Sequence, residues 1–116
     1  MSRRAAVALA GFLAAGAALA APPEPRRIEV VARKFAFDPA QIDVKAGETV
    51  EISFVSTDTK HGFVCRELGL EKVVFAKGAP VTVRFTAGKP GTYEFKCARF
   101  CGLGHGKMKG RIVVAP

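Results

Sequence analysis

Val50-Glu51-Ile52-Ser53-Phe54 places an apolar side chain at every second position, with Glu51 and Ser53 between them. A strand sends successive side chains to opposite faces, so this alternation reads as a strand buried on one face and wet on the other. The spacing returns in Val81, Val83 and Phe85, and again in Tyr93, Phe95 and Cys97. Between the runs lie turn formers: Asp38-Pro39, Lys45-Ala46-Gly47-Glu48 and Ala87-Gly88-Lys89-Pro90-Gly91. No helical periodicity is visible after residue 22. Short strands at near-regular spacing predict an all-β sandwich or small barrel. Such a pattern fits many modules, so function has to be argued from a site.

The 116 residues suffice for one domain with a core of its own. A composition of 49% apolar and 24% charged residues, with no low-complexity run, excludes disorder. Ahead of the strands, Ser2-Arg3-Arg4 is a basic start, residues 5–17 are apolar, and Ala18-Leu19-Ala20 is a small-x-small cleavage pattern. We expect a signal peptide over residues 1–20, cut after Ala20, a Pro-rich leader over 21–26 and the domain over 27–116. The rival is an uncut membrane anchor, but the Ala- and Gly-rich run over 5–21 barely reaches spanning length. The residues after Arg3-Arg4 match a twin-arginine signal poorly. The expected location is the periplasm or another exported compartment, with a membrane partner only if the N-terminal segment stays uncut.

Outside the cytosol paired thiols become disulfides, yet the chain has three cysteines, Cys65, Cys97 and Cys101. An odd thiol, or thiols occupied by a metal, are the two ordinary answers. Eighteen basic residues stand against ten acidic, and the excess stays positive once Arg3 and Arg4 leave. That charge serves solubility or docking. Nucleic acid is excluded as a partner by the compartment and by the lack of a basic motif interleaved with aromatics.

Cys97-Ala98-Arg99-Phe100-Cys101-Gly102-Leu103-Gly104-His105-Gly106-Lys107-Met108 carries the chemistry: two thiols, an imidazole and a thioether in the spacing C-x3-C-x3-H-x2-M. Thiolate and thioether are soft ligands and imidazole is borderline, a set that suits copper and offers nothing to calcium or magnesium. Zinc competes, but structural zinc sites favour closer Cys pairs and seldom use Met. The loop supplies one imidazole, and the only other histidine is His61, which follows the polar segment 56–60. A lone histidine is commonly without function. Here it follows a strand, where a sandwich loop can face the later ligand loop.

At these residues the chain resembles the CuA domain of terminal oxidase subunit II and of nitrous oxide reductase. The likeness runs through His61-Gly62-Phe63, Leu68-Gly69-Leu70, Pro90-Gly91-Thr92-Tyr93, residues 97–108 and Gly110-Arg111-Ile112-Val113-Val114. The resemblance implies a cupredoxin-like Greek-key β-sandwich or barrel holding two copper ions. It implies that Cys97 and Cys101 bridge both coppers, that His61 and His105 bind one each, that Met108 is a weak ligand to one metal, and that the backbone carbonyl of Arg99 serves the other. Many family members have Glu where this chain has Arg99, a change that alters local charge and leaves the carbonyl in place. Subunit II ordinarily carries transmembrane anchoring ahead of this domain, so a free-standing carrier is the simpler expectation, with an oxidase-associated domain as the alternative.

Cys65 shares the alternation of His61 and Phe63 and reads as a small core residue. Lys96, Arg99, Lys107, Lys109 and Arg111 surround the ligand loop, and Phe100 and Leu103 offer an apolar surface beside it. The expected function is electron transport to or from a redox protein, a cytochrome or an oxidase, with no catalytic residues. The alternatives are a mononuclear cupredoxin, built from His61, Cys101, His105 and Met108, or a periplasmic copper carrier for oxidase assembly. A reversible Cys97–Cys101 disulfide is disfavoured because thioredoxin-like motifs have two intervening residues and a βαβ context. No nucleophile stands with a base and a third orienting group that is not better read as a ligand.

Overall fold

The structure is a computed structural model and describes residues 24–116; the expected signal peptide and the first half of the leader lie outside the described residues. Nine strands make up the described chain: β1 (Arg26–Arg33), β2 (Ala36–Asp38), β3 (Gln41–Lys45), β4 (Thr49–Ser56), β5 (His61–Cys65), β6 (Leu70–Phe75), β7 (Val81–Thr86), β8 (Gly91–Lys96) and β9 (Lys109–Ala115). They form a four-stranded sheet in the order β2-β1-β4-β7 and a five-stranded sheet in the order β3-β9-β8-β5-β6. Pairing is parallel in β1–β4 and β3–β9 and otherwise antiparallel. The all-β expectation holds, and among the described residues no helix is long and apolar enough to cross a membrane.

The period-two runs map onto strands with the register they imply. In β4, Val50, Ile52 and Phe54 are buried and alternate with half-buried Glu51, Ser53 and Val55. The run Tyr93, Phe95, Cys97 overshoots by one residue: β8 ends at Lys96, and Cys97 opens the following loop while its N–H donates to the Met108 carbonyl. The core is aromatic. Phe37 and Phe54 from the first sheet meet Phe63, Phe75 and Phe95 from the second, with Phe54 and Phe63 ring centroids 4.4 Å apart and Phe37 and Phe95 5.0 Å apart. Burying each ring contributes about 1.5–3 kcal/mol, so the floor beneath the ligand loop is stiff.

Register decides where the site sits. Ala32 stands opposite Ser56, His61 opposite Phe75, Val64 opposite Lys96, and Lys96 opposite Lys109. These pairings bring the ends of β1, β4, β6 and β8 and the starts of β5 and β9 to one end of the sandwich, where the ligand loop closes over the core.

Candidate metal centre

His61 is the first residue of β5 and is wholly buried, whereas its counterpart His105 is half-buried at the start of a short 3-10 turn, His105–Lys107. The ligand loop is held by its own backbone. His105 N–H donates to the Gly102 carbonyl, Lys107 N–H to Gly104 and Met108 N–H to His105, all at 3.0–3.1 Å. The turns bring His105 and Met108 back over Cys101 and let Cys97 N–H close the loop onto Met108 at 3.0 Å.

Six potential ligand atoms converge. The sulfurs of Cys97 and Cys101 are 3.7 Å apart, far beyond the roughly 2.05 Å of a disulfide. Near Cys97 Sγ lie His61 Nδ1 at 3.9 Å and the Arg99 carbonyl at 3.1 Å. Near Cys101 Sγ lie His105 Nδ1 at 3.6 Å and Met108 Sδ at 3.7 Å. His61, Cys97 and Cys101 offer ligand atoms within 4.8 Å of one another, and both cysteines and Met108 are buried. Every residue expected from the sequence as a ligand is therefore at the site. Cys65, also fully buried, stands outside the His61–Cys97–Cys101 group and belongs to the core.

The donor set fits a soft metal. A separation of 3.7 Å between the sulfurs lets one ion bond both at about 2.3 Å, the length typical of a zinc thiolate. Neither hard cations nor a closed zinc site account for the thioether and carbonyl that complete the cluster. Burial, and then the hydrogen bond and charge of the Cys97 thiol, push the Cys101 thiol up to about 11. Without metal Cys101 is a neutral thiol at pH 7, and a cation that binds must displace its proton.

Two residues that sequence reasoning missed complete the surroundings. Asp58 Oδ1 is 2.7 Å from His61 Nε2 and accepts the Thr59 N–H at 2.6 Å, while its Oδ2 accepts the Lys34 N–H at 2.7 Å. Burial raises its pKa, but the Lys34 N–H, the His61 ring and the Thr59 N–H outweigh that and bring it down to about 2. The carboxylate fixes the imidazole so that Nδ1 faces the thiols. A carboxylate three residues before His61 in a short polar loop was a readable signal. Phe35 carried none: its ring lies against the ligand loop so closely that a Cβ on Gly104 would fall 2.4 Å from it. Gly62 is constrained by main chain instead, since a Cβ there would lie 2.9 Å from the backbone of Ala98 and Arg99, and its N–H points at Cys97 Sγ at 3.5 Å.

The profile of the cupredoxin-like domain family matches residues 4–114. Cytochrome c oxidase subunit 2 of Thermus thermophilus is 36% identical over 92 residues, covering 79% of this chain. The chain spans 67% of that relative and 54% of a second subunit 2 sequence from the same species, about half to two thirds of their lengths. Nitrous-oxide reductase of Stutzerimonas stutzeri is 29% identical over 94 residues, 78% of this chain and 15% of the reductase. Among solved structures, a chain of a heme-copper terminal oxidase dimer superposes with a TM-score of 0.68 at 33% identity, covering 77% of this chain and 64% of that one. Auracyanin A, a "blue" copper protein of Chloroflexus aurantiacus, gives 0.62 at 25% identity, covering 78% and 99%. The fold expected from the resemblance is thus the fold observed, and both proteins that the motifs resembled are among the relatives.

Proposed function

Because the chain belongs to the cupredoxin-like domain family, we propose that it is an exported electron-transfer protein whose centre holds two copper ions in the CuA manner. The observation that carries this reading is the paired cysteines: two free, buried sulfurs 3.7 Å apart, each with its own imidazole nitrogen and its own weak donor nearby. Cys97 and Cys101 would bridge the metals, His61 and His105 would bind one each, and Met108 and the Arg99 carbonyl would complete the set. Two copper ions sharing two thiolates supply a one-electron couple whose charge is spread over both metals.

The protein's part is to keep the ligands still. Asp58 orients His61, the Gly62 N–H steadies the Cys97 sulfur, and the backbone bonds of the loop hold His105 and Met108 over Cys101. Burial of both thiols and of Met108 keeps water out, which limits reorganisation around the site and tunes its potential. Export rests on the signal-peptide pattern ending at Ala20, and the partner is a redox protein, a cytochrome or an oxidase.

A mononuclear centre is the second reading, favoured by the likeness to a "blue" copper protein. It leaves Cys97 a bystander, although its sulfur is the atom nearest both His61 Nδ1 and the Arg99 carbonyl among the thiols. Metal analysis with the paramagnetic spectrum of protein isolated from the periplasm separates the two. Two coppers and an electron shared equally between two nuclei are expected; one copper with a single-nucleus pattern would defeat the binuclear assignment.

A further inference from the structure

We propose that the end of the sandwich carrying the ligand loop is a docking surface for an acidic redox protein, one that presents an apolar centre ringed by carboxylates. The proposal rests on the electron-transfer reading above and specifies its partner.

Three apolar side chains crown this end. Leu103 is fully exposed, Phe100 is 64% exposed and Phe35 37% exposed. Phe35 packs on Gly102 and Gly104, and the Phe100 ring lies 5.5 Å from that of His105, the half-buried ligand. A leucine with no cover at all at the tip of a backbone-braced loop is a feature that folding does not require. Grouped exposed apolar residues with a polar rim mark interaction sites.

The rim is cationic. The four segments that meet here carry Lys34, Lys60, Lys77, Arg99 and Lys107, against Asp58 as the one acid. Asp58 is already engaged by His61 and by the N–H groups of Lys34 and Thr59. Among the described residues none of the five cations forms an ion pair. The Arg99 guanidinium donates to the Phe100 carbonyl at 2.7 Å, which keeps its charge beside the apolar crown. Some cations elsewhere are paired: Arg26 with Glu48 and Arg33 with Asp38, while Arg27 and Arg84 both approach Glu51. Lys96 and Lys109 face each other on the outer side of the second sheet, near Glu67 and Glu94. An unbalanced positive ring around an apolar centre steers and orients an acidic partner and repels a basic one.

The test uses isotope-labelled full-length protein as isolated, with two probes of similar size: an acidic and a basic c-type cytochrome. Amide shifts should move at residues 34–35, 60, 77 and 99–107, and at low salt the acidic cytochrome should bind at least tenfold more tightly. The difference should shrink as added salt shortens the Debye length from about 30 Å to about 8 Å. Leu103→Ser and the double variant Lys60→Gln/Lys107→Gln should each weaken acidic binding at least tenfold with the rest of the amide spectrum unchanged. Equal affinity for the basic cytochrome, shifts at the opposite end, or variants that bind like wild type would overturn the proposal. So would concentration-dependent shifts without any probe, which would mean a second copy covers the patch, or loss of the patch signals to contact with residues 1–23. Shift mapping reads the surface whatever the copper count, so failure of the binuclear reading and failure of the docking surface are separate results.

Discussion

Asp58 Oδ1 lies 2.7 Å from Nε2 of His61, whose ring is wholly buried, and the same carboxylate receives the N–H groups of Lys34 and Thr59. One side chain thereby ties the β1–β2 turn and the β4–β5 loop to His61. Asp58→Ala removes the acceptor for Nε2 and frees the ring to turn. Copper affinity should fall by about 10–100-fold, the range for lost partners of metal-bound histidines, as measured by competition with a chelator. Asp58→Asn, which retains one carbonyl oxygen, should fall between. An alanine variant with undiminished affinity would refute the orienting role.

Cys97→Ser separates the two copper readings. In the binuclear case it removes a bridge, so bound copper should drop to at most one per chain and the shared-electron spectrum should vanish. Cys65→Ser is the control: Cys65 is buried in the core, so the change should cost about 1–2 kcal/mol in unfolding free energy and leave the spectrum as it was. The pair of measurements is copper content and the optical and paramagnetic spectra.

Gly62→Ala should be more damaging than Gly104→Ala. The new methyl at 62 meets main-chain atoms of Ala98 and Arg99 at 2.9 Å, which can yield only if the ligand loop shifts. At 104 it meets the Phe35 ring, and Phe35 is already 37% exposed and can swing outward. Overpacking against backbone costs about 1–3 kcal/mol, visible in chemical denaturation, and displacing Ala98–Arg99 should also alter the copper spectrum. Equal effects at the two positions would contradict this account.

Glu48 sets part of the acid stability. Its carboxylate accepts two bonds from Arg26 and the Lys45 N–H, and these hold its pKa down at about 2 from an ordinary 4.5. A folded-state pKa below the unfolded value means stability present above about pH 4.5 and lost as pH falls toward 2. Asp58, also at about 2, acts in the same direction. Thermal midpoints recorded from pH 7 to pH 2 should fall in this window, and Glu48→Gln should flatten that fall. A variant with the same pH profile as wild type would show that Glu48 has no part in it.

What the chain could disclose on its own followed from local periodicity and local spacing. Alternation in Val50, Ile52 and Phe54 marks a strand because side-chain direction along a strand depends only on neighbouring backbone dihedrals. Likewise Cys97, Cys101, His105 and Met108 fall within twelve residues, so any compact loop brings them close, and their chemistry names a soft metal before the fold is known. His61 was within reach because the chain has only two histidines.

The remaining features depend on residues far apart in sequence. His61 stands beside Cys97 across 36 residues because β5 lies next to β8 with Val64 opposite Lys96. Lys34, Phe35 and Lys77 reach the same end because β1 runs parallel to β4 and Ser56 bridges Lys77. A strand pattern states which face of a strand is buried, but not which strand lies beside it or where each one ends. Those pairings are set by the packing of whole sheets around a shared core, an energy that no single segment carries. The candidate ligand types could therefore be read from the sequence, whereas Asp58 behind His61, the ring of Phe35 on Gly104 and the ring of cations without an ion pair among the described residues were decided by tertiary structure.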